Sequence, residues 1–280
     1  MSNGDDQPPD LDAGLDDLPA REDSGDSASA RAAPRPQSAE YEIRLPELDP
    51  ELLTGHLIVV EGPDGSGRST QIRLLTEWLE WKGFPVQTMG LRRSRLLAQD
   101  IDELLGRNDL QPLTLALLYA TDFYDQLVNR IVPALRGGFV VLADRYVYTL
   151  VARAVVRGLE REYLWNVYDF AVDPDLSFRL EVAPQTSFER LFEQQQTISY
   201  WEAGGDLNFS PNLYESFVTY QSKLRDEFNR QADIWSFESV DGEQSVPEVN
   251  RELREAIGRE LDIDDLSYEP SDENLPLWNK

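Results

Sequence analysis

Leu57-Ile58-Val59-Val60-Glu61-Gly62-Pro63-Asp64-Gly65-Ser66-Gly67-Arg68-Ser69-Thr70 is the stretch that decides the fold. Four apolar residues in a row predict a strand buried on both faces. Glycines, proline and aspartate then break it, and an amphipathic helix is expected from Ser69 to Lys82. A glycine-rich turn between a buried strand and a helix is the context a phosphate-binding P-loop requires. Its glycines let successive N–H groups point inward at phosphate oxygens, and the positive end of the helix dipole adds to them. Gly62, Gly65, Ser66, Gly67, Arg68, Ser69 and Thr70 are therefore expected to hold a nucleoside triphosphate, with the Ser69 hydroxyl on Mg²⁺.

Arg68 stands where this pattern carries lysine. Guanidinium is planar and forks onto phosphate, whereas lysine is a compact point charge, so the exchange is not conservative. Two readings stay open: an arginine-biased chain that keeps its phosphate chemistry, or a loop that binds nucleotide while transfer of the γ-phosphoryl group has weakened. The bias itself is plain, since Lys82, Lys223 and Lys280 are the only lysines among 26 basic residues.

Working outward, apolar strands alternate with helical stretches from His56 onward, the signature of a parallel sheet with helices on both faces. Further strands are expected at Pro85–Met89, Phe139–Leu142, Leu176–Val182 and Ile234–Val240. Helices are expected at Leu113–Leu135, Tyr148–Gly158, Glu160–Phe170, Asn212–Asn229 and Val246–Leu261. The fold class is α/β, a P-loop NTPase-type three-layer α/β/α domain over residues 56–262 with a five-stranded parallel sheet. Residues 1–40, rich in Asp, Pro, Ala, Ser and Gly, bury too little to offset ordering entropy and read as a disordered acidic extension. Residues 41–55 read as a lead-in and 263–280 as an acidic tail.

Composition excludes whole classes of function. With no cysteine and one histidine, His56, the chain has no disulfide, zinc-thiolate site, thiol nucleophile or multi-histidine metal centre. A net charge of −26 argues against general nucleic-acid binding, which needs clustered Lys and Arg. Residues 1–55 hold 14 acidic side chains against 4 basic ones, but the remainder is acidic too. No stretch approaches a membrane span and the start has no apolar leader, so a soluble, cytoplasmic protein is expected.

Glu61-Gly62-Pro63-Asp64-Gly65-Ser66-Gly67-Arg68-Ser69-Thr70-Gln71 resembles the P-loop of the thymidylate kinase family, EG-x-DG-x-GK[ST]TQ. Leu117–Asp122, Ile131–Gly138 and Asp144-Arg145-Tyr146 are similar to that family's LLFAADR, I-x-PAL-x-x-G and DRY segments, in order and spacing. The resemblance implies a nucleoside monophosphate kinase, using ATP and Mg²⁺, with dTMP as acceptor, and a homodimer. It implies that Arg145 grips the acceptor phosphate, that Asp64 stands near the acceptor sugar or metal, and that Tyr119 takes the place of the aromatic that stacks on the base. Catalysis then falls to Arg68, Asp64 and Arg145. Asp144, ending a buried strand, either orients the Mg²⁺ shell together with Ser69 or pairs with Arg145.

The chain departs from the family at informative places. Phe123 stands where LLFAADR has arginine, and Arg153 and Ala154 replace the tyrosine and glutamine of DRY-x-x-SS-x-AYQ, in which Thr149 takes the first serine. The expected acceptor contacts are thus Asp64, Tyr119, Phe123, Arg145, Thr149 and Arg153. The lid, Gln194–Phe209, expected to close over the donor, begins in glutamines where the family has arginines. Arg190 is the nearest substitute. An additional basic run, Arg92-Arg93-Ser94-Arg95, follows the second strand and either reaches the acceptor or starts a solvated helix. Alternatives to the kinase reading are a nucleotide-binding regulatory protein with little turnover, or a kinase for another phosphorylated acceptor.

Overall fold

The computed structural model describes residues 52–107, 110–195 and 197–268. The acidic extension expected at 1–40, most of the lead-in and the last part of the tail lie outside the described residues.

Five strands, β1 (His56–Glu61), β2 (Val86–Gly90), β3 (Val140–Asp144), β4 (Leu176–Glu181) and β5 (Phe237–Asp241), form one parallel sheet in the order β2-β3-β1-β4-β5. Alternation along the strands builds the three layers. Ile58, Val60, Leu142, Phe178 and Leu180 face one side, against Leu75, Trp78 and Leu79 of α1 (Arg68–Trp81) and Leu253 and Ile257 of α9 (Val246–Glu260). Leu57, Val59, Val141 and Ala143 face the other, against α3 (Pro112–Gln126), α5 (Val147–Val156) and α8 (Leu213–Ala232). The remaining helices are α2 (Ala98–Leu105), α4 (Val132–Arg136), α6 (Arg161–Val167) and α7 (Pro184–Gln195).

Three local outcomes differ from the sequence expectations. The long helix expected over Leu113–Leu135 is interrupted by a π-helical turn at Leu127–Ile131 just before Pro133. Proline brings no N–H to the ladder and crowds the preceding turn, so the backbone changes its hydrogen-bond spacing there. Helix α2 was expected only as the solvated helix that the Arg92–Arg95 run could start, although Leu97, Ile101 and Leu105 recur at four-residue spacing and pack together. The acidic tail does not begin at 263, because Ile263, Leu266 and Tyr268 pack on the α1 and α9 side. Tyr268 donates to Glu77 at 2.7 Å, Arg254 donates to the Leu266 carbonyl at 2.6 Å, and Lys82 pairs with Asp265 at 3.0 Å.

Candidate active site

The register of the two central strands sets the site. Val60 of β1 lies opposite Asp144 of β3, so both strands deliver their carboxyl ends to one place, where ligands of open α/β sheets bind. The chain leaves β1 through Gly62, Gly65 and Gly67, at φ 151°, 78° and 91°. A side chain on Gly65 would strike the Ser187 carbonyl at 2.6 Å, so α7 seats directly on the loop. A Cβ on Gly67 would meet no atom within 4 Å, which leaves the mouth of the loop open in front of the first amides of α1.

The Arg68 side chain turns back into the loop. Its Nη1 donates to the Gly62 carbonyl at 2.5 Å, to the Pro63 carbonyl and to Ser66 Oγ at 3.2 Å, while Nε donates to Asp144 at 2.9 Å. Ser69 Oγ donates to the other Asp144 oxygen at 2.7 Å. Burial opposes ionisation of Asp144, but the Arg68 charge and the Ser69 hydrogen bond outweigh it and hold the carboxyl below its usual range. Ser69 and Asp144 therefore offer two hard oxygens side by side at the phosphate mouth, a donor set suited to Mg²⁺. The ion pair expected between Asp144 and Arg145 does not form; Asp144 pairs instead with Arg68, which was not an expected partner.

Arg145 instead pairs with Asp64, and its Nη1 donates to Thr149 Oγ1 at 3.4 Å. Asp64 also accepts from Arg153 at 3.3 Å and from Gln221 at 3.4 Å. Burial disfavours its charge, yet Arg145, Arg153 and Arg68 hold the carboxyl far below the ordinary range. Burial and the neighbouring Arg68 push Arg145 down to about 10. Its backbone is left-handed at φ 75°, a costly state for a side-chain-bearing residue.

That turn is held by a residue whose role the sequence reading missed. Glu61, the fully buried last residue of β1, accepts the N–H of Tyr146 at 2.8 Å, the N–H of Thr149 at 3.2 Å and the Thr149 hydroxyl. It thus takes the N-cap donor and the third donor of α5 from a neighbouring strand. Burial pushes its carboxyl up, opposed by those hydrogen bonds and by Arg145. Asp122 was missed in the same way, since its carboxylate accepts the N–H groups of Arg92 at 3.0 Å and Ser94 at 3.1 Å and so shapes the basic turn after β2.

A cavity of ≈540 Å³ opens beside these groups, lined by Asp64, Arg68, Asp144, Arg145 and Arg153 among others. Tyr119 and Tyr168 contribute aromatic wall, and Arg92 and Arg93 lie at its edge. Arg92 also pairs with Asp102 at 2.6 Å. Arg95 is not part of the lining, and neither are Thr149, which is buried behind Arg145, and Phe123. Phe123 turns into the core, edge-on to Tyr146 at 5.0 Å and Tyr168 at 6.0 Å, so the position of the family's base-contacting arginine is here an internal aromatic.

The lid residues reach the same cavity. Ser199, Tyr200, Trp201 and Glu202 line the same cavity as Arg68, Asp144, Arg145 and Arg153. Trp201 Nε1 donates to the Leu105 carbonyl at 2.8 Å, and Arg157 of the α5 end bonds Asp206 at 2.7 and 3.1 Å and Tyr220 at 2.8 Å. Arg190 donates to the Gly242 carbonyl at 2.8 Å, toward the loop after β5.

Comparison with known proteins identifies the family. Residues 60–252 match the family model described as thymidylate kinase. The chain is 36% identical over 211 residues to "Probable thymidylate kinase 2" of Saccharolobus solfataricus, covering 75% of this chain and 99% of the relative. It is 36% identical to "Probable thymidylate kinase" of Thermococcus onnurineus (73% and 98% covered) and 30% identical to "Thymidylate kinase" of Shouchella clausii (74% and 96% covered). With the phosphate loop, the strand-end Asp144-Arg145 pair and near-complete coverage of these relatives in agreement, the chain belongs to the thymidylate kinase family.

Proposed function

We propose that this protein is an ATP-dependent kinase that transfers the γ-phosphoryl group to dTMP, giving dTDP and ADP. The observation that carries the reading is the meeting of two half-sites in one cavity: Arg68 and Asp144, the latter bonded to Ser69, and Arg145 with Asp64 beside them. The acceptor is taken from the names of the relatives, and the aromatic wall of Tyr119 and Tyr168 suits a flat base.

Phosphoryl transfer asks the protein for position and charge more than for covalent chemistry. The amides of Gly65–Ser69 hold the donor phosphates, and the Arg68 fork spans the β- and γ-phosphates after exchanging loop carbonyls for phosphate oxygens. Ser69 and Asp144 would hold Mg²⁺, which neutralises charge on the donor oxygens. Arg145 takes the acceptor phosphate, and the lid residues 199–202 keep water out. Arg68 and Arg145 both line the cavity and supply cations for the transferring group, which favours retention of function at Arg68.

A cytoplasmic setting, where ATP is supplied, is part of the proposal. A homodimer is supported by exposed Leu113, Leu117 and Tyr124, which fall on one stripe of α3. No helix among the described residues is long and apolar enough to cross a membrane.

Incubation with dTMP, ATP and Mg²⁺ is expected to form dTDP and ADP in equal amounts. Arg145→Met should raise the KM for dTMP by about tenfold or more while changing the KM for ATP little. Absence of dTDP would remove the proposal.

A further inference from the structure

Arg153 is the one cation of the cavity whose position, by resemblance, belongs to a tyrosine. It occupies α5 two turns beyond Arg145 and faces the same carboxylate. Its contact with Asp64 is partial: Nη2 alone reaches both oxygens, at 3.3 and 3.5 Å, while its buried Nε has no hydrogen-bond partner. A guanidinium that can form a two-pronged carboxylate pair is here using one prong.

Asp64, meanwhile, is held by Arg145 more closely than by any other group. Arg145 is thus committed to Asp64, and it must loosen that contact to take up a phosphate dianion. If Arg145 were the only partner, its departure would strand a buried carboxylate, which is strongly unfavourable.

Building on the acceptor site above, we propose that Arg153 is the standing counter-ion of Asp64, a positioning residue that frees Arg145 for the acceptor phosphate. As Arg145 swings to the phosphate, Arg153 closes from its single contact to a fork using Nη2 and Nε, and Gln221 keeps its hydrogen bond. The exchange involves no proton transfer. The charge of Asp64 stays compensated throughout, and the energy of binding the phosphate is not spent on exposing it.

The test is a double-mutant cycle read by calorimetric binding of dTMP, which needs no turnover. Arg153→Met is expected to weaken dTMP binding about tenfold, and Arg153→Lys, which keeps the charge, to restore it to within about threefold. In an Asp64→Asn background, whatever that change itself costs, Arg153→Met should weaken binding less than about twofold, because no carboxylate is left to compensate. Equal losses in both backgrounds would mean that Arg153 acts on the ligand or the fold directly and would overturn the proposal. Undiminished binding by Arg153→Met would do the same, and so would a lysine variant as weak as the methionine one. Arg145→Met separates the two layers of the argument. If it binds dTMP like the unaltered protein, or the unaltered protein binds none, the acceptor site itself is wrong. If it is weakened while Arg153→Met is not, only the role of Arg153 falls.

Discussion

Arg68 gives the phosphate loop a fork where a point charge is usual, and the loop accommodates it by lending carbonyl oxygens that a phosphate can replace. Arg68→Lys is therefore expected to keep kcat within about tenfold, whereas Arg68→Ala, which removes the charge, should cost about 10²- to 10³-fold in steady-state assays. Glu61 carries a different load. It ties the N–H groups of Tyr146 and Thr149, 85 and 88 positions away, to the end of β1, and it does so at a fully buried place that pushes its own carboxyl up. Glu61→Gln keeps an acceptor for those donors and is expected to leave the thermal midpoint at neutral pH nearly unchanged. Glu61→Ala should lose about 2 kcal/mol in urea unfolding, because two buried N–H groups are stranded. The letters of the phosphate loop and of Asp144-Arg145 were legible because each owes its place to local strand-to-helix geometry. The roles of Glu61 and Asp122 were not, since each serves a backbone segment far away in the chain. Phe123 shows the converse: it aligned with a ligand contact, yet an apolar ring beside Tyr146 and Tyr168 goes to the core.

Among the elements, strands were legible to within a few residues because continuous apolar runs bounded by glycine, proline or aspartate admit few other fates. Helix α2 was hidden behind the charge of the Arg92–Arg95 run, and the break at Leu127–Ile131 was hidden because an unbroken apolar period runs through it. The contacts that hold the lid were not legible in the sequence. The lid's glutamine-rich opening says nothing of the Trp201 and Asp206 contacts that bind it to α2 and the end of α5. Arg157 joins Asp206, Tyr220 and the face of Trp201, 5.6 Å from its ring centre, so a single side chain latches three elements. Arg157→Met should free the lid locally without unfolding the sheet. Chymotryptic cleavage beside Tyr200 and Trp201 is expected to speed up about tenfold or more, with added dTMP slowing it again.

The whole molecule carries a net charge of −26, and its acid response reflects both the surface and the site. Asp64 and Asp144 are held below their ordinary values in the fold, so they bind fewer protons there than in the unfolded chain. The stability they contribute is complete above about pH 5 and is lost as pH falls below about 4 toward their folded values. Glu61 works in the opposite sense: its raised value favours the fold in acid, and that contribution is lost as pH climbs from about 4.5 upward through the folded value. Denaturant unfolding between about pH 3 and about pH 7 should show a shallower acid loss for Asp64→Asn than for the unaltered protein. Beyond stability, the central claim is that this arrangement turns over rather than merely holding nucleotide. The most direct measurement is ADP release from ATP and Mg²⁺ across a panel of nucleoside monophosphates at low and high salt. The account predicts acceptor-dependent ADP release, greatest with dTMP and matched by dTDP. ATP binding with no ADP release on any acceptor would contradict it.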